Sequence, residues 1–114
     1  MSSTAVHVIG GSRVKASTGE SHLSDINPAT EEVLAQVPLG GLDAVDAAVQ
    51  AATDAFPAWS QTPVGERCQI LFRYKQVLEE NFEELTDMIV AEHGKTVPEA
   101  RGDVRRGIDC IEYA

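Results

Sequence analysis

The hydrophobic period of this chain changes once, near residue 40, and that change constrains its fold more than any other feature. Before it, β-branched residues alternate with polar ones between turn signals; from Leu42 onward, apolar residues recur at spacings of three and four. Side chains alternate across a strand but repeat every 3.6 residues around a helix. The sequence therefore predicts a β-ribbon over about residues 6–38 and a helical part over about residues 42–114, with about four helices.

In the ribbon, Val6-His7-Val8-Ile9 leads into the tight turn Gly10-Gly11, and Arg13-Val14-Lys15 continues it. His22-Leu23-Ser24-Asp25-Ile26 has the alternation of a half-buried strand. Asn27-Pro28-Ala29-Thr30 is a turn, because Pro28 fixes φ and Asn27 can bond its own backbone. Residues Glu32 to Pro38 form the returning strand. Pro38 has no N–H to give a ladder, so it belongs at a strand end or an edge. A two-stranded ribbon is marginal alone and needs something to pack on.

Gly41 suits the N-cap of the first helix, with Asp43 and Asp46 favoured by the dipole in the first turns. Val45, Ala48, Val49, Ala52 and Phe56 fall on one face, and Pro57 is predicted to end the helix near Phe56. Thr62-Pro63 opens a second helix with proline at the first position and an apolar stripe of Ile70, Leu71, Tyr74, Val77 and Leu78. Asn81 with Glu84 has capping-box spacing and opens a third, with Leu85, Met88 and Ile89 facing inward. Gly94 closes that helix. Thr96 with Glu99, and Pro98 in the first turn, open a fourth, whose apolar side is Val104, Ile108 and Ile111. No repeat, low-complexity stretch or long linker divides the chain.

Charge narrows the function classes. Eighteen acidic residues against nine basic ones give a net charge of −9, which repels phosphate backbones and argues against nucleic-acid binding. No run of 18 or more apolar residues occurs, so no membrane helix is expected, and the N-terminus lacks an apolar signal-peptide core. A cytoplasmic protein is expected. Cys68 and Cys110 stand outside any CxxC spacing and read as reduced thiols of the core. His7, His22 and His93 show no metal-ligand spacing, so no metal site is expected.

Gly94-Lys95-Thr96 resembles the end of a phosphate-binding loop. That loop needs a glycine five residues before Gly94, where Ile89 stands within a helical pattern. The triplet reads better as a helix junction. No GxGxxG, GxSxG, HExxH or paired-carboxylate pattern is present. Arg101, Arg105 and Arg106 lie on the last helix beside Asp103 and Asp109. Spacing allows two readings: i,i+4 surface ion pairs such as Arg105 with Asp109, or a guanidinium holding a carboxylate in a cleft. From spacing alone, the surface pairs are preferred.

The order of motifs then becomes distinctive. INPATEEVLAQVP, an alanine-rich helix ending AFPAWSQTPVGER, ILFRYKQVLEENFEEL and EHGKTVPEARGDV follow one another as in the opening of the aldehyde dehydrogenase superfamily. The resemblance runs from about Val6 to Ala114. FPAWSQTPV and the tail GDVRRGIDCIEYA most resemble the CoA-acylating, methylmalonate-semialdehyde branch. The resemblance implies an α/β parent about four times longer, using NAD and coenzyme A on a small semialdehyde and forming a homo-oligomer. It places the nucleophilic cysteine, the oxyanion-hole asparagine and the cofactor-binding residues beyond Ala114, so this chain carries no catalytic and no cofactor-binding residue. It also implies one substrate-binding position here, Arg106, the arginine before the glycine of the GDVxRG-like segment.

The chain stops on Ile111-Glu112-Tyr113-Ala114 inside a helical pattern without a capping glycine, which suggests a fragment. Such a fragment is expected to be inactive alone, with NAD and coenzyme A bound poorly. The alternatives are a fragment of another aldehyde dehydrogenase, or a noncatalytic module that binds a partner through exposed apolar faces.

Overall fold

The computed structural model of the chain describes residues 3–114. Five strands precede four helices: β1 Ser3–Thr4, β2 His7–Ile9, β3 Ser12–Val14, β4 His22–Ile26, β5 Val33–Pro38, α1 Leu42–Gln61, α2 Val64–Glu80, α3 Phe82–His93 and α4 Val97–Tyr113. They fall into two compact units. One holds the residues up to Ile26 with Glu31–Gln61; the other holds Asn27–Thr30 with Thr62–Ala114.

In the first unit the expected ribbon is two small sheets. β2 and β3 pair antiparallel around the Gly10-Gly11 turn, with Ile9 opposite Ser12. Both glycines have positive φ, +58° and +75°, a region that L side chains avoid. β4 and β5 pair antiparallel, with Ser24 opposite Gln36 and a register irregularity at Asp25/Ile26. The Gln36 amide donates across that pair to the Ser24 hydroxyl at 3.0 Å. Pro38 stands at the strand end, as its missing N–H requires. Sequence reasoning missed β1, which adds parallel to β5 through Ser3 and Thr4. Two residues are too few to show an alternation.

α1 begins where expected, with the Gly41 carbonyl accepting the Ala44 and Val45 amides. It does not end at Phe56. Pro57 lies inside the helix, which runs on to Gln61. Pro57 removes one ladder bond, to the Thr53 carbonyl, in a stretch of helix whose residues, 52–61, are all exposed. The Ser60 hydroxyl donates to the Pro57 carbonyl at 3.0 Å and supports the last turn. The expected inward stripe is also corrected, because Val45, Val49 and Phe56 are all exposed. Ala44 and Ala51, on an adjacent face, are half-buried. α1 packs against β2, and small alanines permit that approach where branched side chains would not.

The second unit is a three-helix assembly centred on α4, which packs on both α2 and α3. Ala100, Val104 and Ile108 recur every four residues on α4 and are its buried apolar row. Burying a side chain the size of Ile108 contributes about 1.5–3 kcal/mol. Leu71 and Leu78 of α2 and Leu85 and Ile89 of α3 are half-buried, while Ile70, Tyr74, Val77 and Met88 stay exposed. Thr86 is fully buried, and its hydroxyl donates to the Phe82 carbonyl at 2.9 Å, so the polar atom is satisfied.

The junctions follow local chemistry, with two corrections. α2 has Pro63 as its N-cap and not as its first helical residue, so the helix starts one residue later than expected, at Val64. Asn81 does not cap α3 through its side chain. Its amide donates instead to the Val77 carbonyl at 2.7 Å, closing the end of α2. Gly94 ends α3 with φ +71°, and its N–H bonds the Val90 carbonyl. Thr96 opens α4, and the Glu99 carboxylate accepts its backbone N–H at 3.2 Å and its hydroxyl at 2.7 Å. Those bonds, the hydroxyl first, hold the Glu99 carboxyl below its ordinary value.

Candidate functional site

The polar side of α4 gathers the basic residues flagged in the sequence, but not in the pairs expected. Arg105 reaches 26 residues back to Glu79 at the end of α2, with Nη1 and Nη2 donating to the two carboxylate oxygens at 2.6 and 3.2 Å. Arg101 donates to both oxygens of Glu83 in α3, at 2.5 and 2.6 Å. Both guanidiniums lie over the Phe82 ring, 5.2 Å from its centroid for Arg101 and 5.0 Å for Arg105. These pairs span helices and replace the expected i,i+4 pairs within α4. The physical reason is the Asn81 turn, which sets Glu79, Phe82 and Glu83 beside one face of α4. A planar guanidinium prefers a two-oxygen partner together with an aromatic face. The Arg105 bond holds the Glu79 carboxyl below its usual value.

Arg106 is different. Its side chain is 74% exposed. It donates through Nη2 to Oδ1 of Asp103 one turn earlier, and makes no other hydrogen bond among the described residues. Oδ2 of the same Asp103 accepts from the Lys95 ammonium at 2.5 Å. Asp103 and Lys95 are each only about a quarter to a third exposed, at 24% and 31%. The Lys95 and Arg106 bonds both hold the Asp103 carboxyl below its ordinary value, Lys95 more strongly. Asp103 lay visibly i,i+3 from Arg106 in the sequence. Lys95 was legible only as the middle of the GKT triplet, and that triplet is a junction between helices, with a helix and not a strand before it.

Beside this polar side runs an apolar groove of about 400 Å³, formed by Tyr74, Leu78, Met88, Ile89, Val104 and Ile108. In the first unit, sequence reasoning missed a second polar node. The Glu20 side chain, 8% exposed, accepts from Gly40 N–H at 2.7 Å and Ser17 N–H at 2.8 Å, and its Oε1 lies 2.8 Å from His7 Nε2. Partners 13 and 20 residues away gave it no sequence signal.

The thiols differ from expectation in one respect: Cys68 is half-buried, but Cys110 is exposed. Cys110 follows Asp109 on the outer side of α4, away from the Ala100–Val104–Ile108 row. Neither thiol has a bonded base that would make it a nucleophile among the described residues. Among the same residues, no group of three or more His, Cys, Asp or Glu side chains is arranged to hold a metal. No helix there is long and apolar enough to cross a membrane.

Comparison with known proteins gives this arrangement its context. A malonate-semialdehyde dehydrogenase of Bacillus pumilus (strain SAFR-032) is 45% identical over 106 residues, 93% of this chain and 22% of the relative. The crystal structure of methylmalonate-semialdehyde dehydrogenase from Oceanimonas doudoroffii superposes with a TM-score of 0.91 at 37% identity, over 97% of this chain and 22% of that one. A Sinorhizobium meliloti 1021 structure complexed with NAD reaches a TM-score of 0.93 at 36% identity, over 99% of this chain and 23% of that one. The chain thus spans less than a quarter of the length of these relatives. The model described as the aldehyde dehydrogenase family matches residues 14–114. The chain belongs to the aldehyde dehydrogenase family.

Proposed function

We propose that this chain is the N-terminal portion of an NAD-dependent, coenzyme A-acylating dehydrogenase of malonate or methylmalonate semialdehyde, in which Arg106 holds the substrate carboxylate. The observation that carries the substrate class is the 45% identity, across 93% of the chain, to a malonate-semialdehyde dehydrogenase. Arg106 supports it chemically. A guanidinium is always charged, and its planar fork matches a carboxylate with two parallel hydrogen bonds. Arg101 already gives Nη1 to both oxygens of Glu83, and Arg105 gives Nη1 and Nη2 to Glu79, each with a two-oxygen partner, whereas Arg106 shares only one oxygen of Asp103.

In the parent enzyme, NAD and coenzyme A supply hydride acceptance and acyl capture. No residue of this chain is assigned to either, since it has no glycine-rich phosphate loop. This portion contributes substrate selection, and the 114 residues alone are inactive. The acidic balance and the two free thiols support a cytoplasmic parent, which we take to be a homo-oligomer.

A chimera tests this reading. Residues 1–114 replace the matching segment of the B. pumilus enzyme, and NADH formation is followed with malonate semialdehyde and with the neutral aldehyde propanal. The expected result is coenzyme A-dependent turnover that favours malonate semialdehyde. Arg106→Ala should lower that preference by on the order of 10- to 100-fold, the loss of a charge-assisted bidentate contact. An unchanged preference would reduce Arg106 to a surface residue. NADH formation by the purified 114 residues would contradict the expected inactivity.

A further inference from the structure

We infer that Asp103 is a positioning residue that aims Arg106, and that Lys95 restores the positive charge this aiming would otherwise cancel; the inference rests on Arg106 being the carboxylate ligand. Asp103 divides its two oxygens between two cations, Oδ2 to Lys95 and Oδ1 to Arg106. Lys95 lies between Gly94, which ends α3, and Thr96, which begins α4. Its backbone is therefore fixed from both sides. The carboxylate is thus anchored by a junction eight residues before it, while the guanidinium it holds lies three residues after it.

A guanidinium has five N–H donors. One Nη2 bond to Asp103 leaves the Nη1 and Nε donors unengaged among the described residues. Pinning one corner of a long, exposed side chain removes rotamers before a ligand arrives, so less freedom is lost on binding. Aiming by a carboxylate alone would be self-defeating, because Arg106 with Asp103 is electrically neutral. Lys95 makes the group of three +1 and so returns the charge that Asp103 removes, with the Glu99 carboxylate, bonded to Thr96, also within the field of Lys95. A plain exposed i,i+3 pair contributes little. Neutralising Asp103 in such a pair would leave carboxylate binding unchanged or strengthen it, since a negative charge is removed. Positioning requires the opposite sign.

The test uses the chimera described above and steady-state kinetics with malonate semialdehyde and propanal. Asp103→Asn should raise KM for malonate semialdehyde by on the order of tenfold although the site becomes more positive. The ratio of kcat/KM for malonate semialdehyde to that for propanal should fall with it. Lys95→Met should raise the same KM several-fold, with an effect that shrinks between 0.01 and 0.5 M salt as screening grows. Thermal unfolding of each variant separates positioning from folding, and Lys95→Met carries the test if Asp103→Asn does not fold. An Asp103→Asn KM that falls or stays constant while Arg106→Ala is selective overturns the positioning role and leaves Arg106 as the ligand. A nonselective Arg106→Ala overturns both.

Discussion

Arg105 places its guanidinium 5.0 Å from the centroid of the Phe82 ring while giving two hydrogen bonds to Glu79. Arg101 does the same from one turn earlier, over the same ring and onto Glu83. One aromatic side chain at the α2–α3 turn thus organises the helix that carries Arg106.

Phe82→Ala should therefore loosen the second unit without touching Arg106. The half-buried ring alone contributes about 1 kcal/mol, roughly half the value for a fully buried phenylalanine, before the two cation–π contacts are counted. A lower urea midpoint by circular dichroism is the expected outcome. Phe82→Leu should recover part of it, because it restores apolar area but no π face. An unchanged midpoint in Phe82→Ala would show that the stack is ornamental.

Gly94 offers a sharper case. At φ +71°, a Cβ on this residue would sit 2.7 Å from Pro28 Cγ, a backbone-anchored ring that cannot swing away. Gly94→Ala should cost about 1–3 kcal/mol for the left-handed conformation alone, with the clash added. Gly102 is the control. A Cβ there meets nothing within 4 Å, so Gly102→Ala should stabilise α4 by about 0.5–1 kcal/mol through reduced unfolded-state freedom. Denaturant midpoints moving in the same direction for both would contradict this account.

The Glu20 node predicts acid sensitivity in the first unit. Hydrogen bonding to His7, then to the Ser17 and Gly40 amides, keeps this carboxyl below its ordinary value of 4.5. A depressed folded-state pKa stabilises the fold fully above the unfolded value, and that contribution disappears as pH falls through the folded one. The Ser17 and Gly40 amide proton shifts should titrate together with an apparent midpoint below 4.5. Glu20→Gln should abolish that titration. A midpoint at or above 4.5 would mean that the bonds do not favour the ionised form.

The exposed Val45, Val49 and Phe56 face of α1 yields a prediction about the isolated chain. Contiguous apolar surface drives association, so light scattering should show a concentration-dependent mass. Val49→Lys with Phe56→Lys should reduce it while leaving each unfolding midpoint within about 0.5 kcal/mol, as expected for exposed positions. A strictly monomeric wild-type chain would count against the idea.

Much of the architecture was written in short-range signals. Gly94 as a left-handed helix end, Thr96 with Glu99 as the start of α4, Pro38 at a strand end and the row Val104–Ile108 all depend on groups within about four residues. Such preferences operate in any tertiary setting. Pro57 shows the limit of that logic: a helix breaker by local rules, it is carried through because its position is exposed and only one ladder bond is lost.

The order of elements from β2 onward and the family were legible in the residues alone, and the family resemblance put Arg106 forward as a candidate carboxylate ligand. Which charges meet depended on how the helices pack. Arg105 passed over Asp109 for Glu79, Arg101 took Glu83, and Asp103 came to bridge Lys95 and Arg106. Packing also decided that the apolar stripe of α1 faces outward. The reason is physical: local propensity acts through backbone bonds and φ angles near in sequence, whereas ion pairing and burial depend on which surfaces the turns bring within a few ångströms.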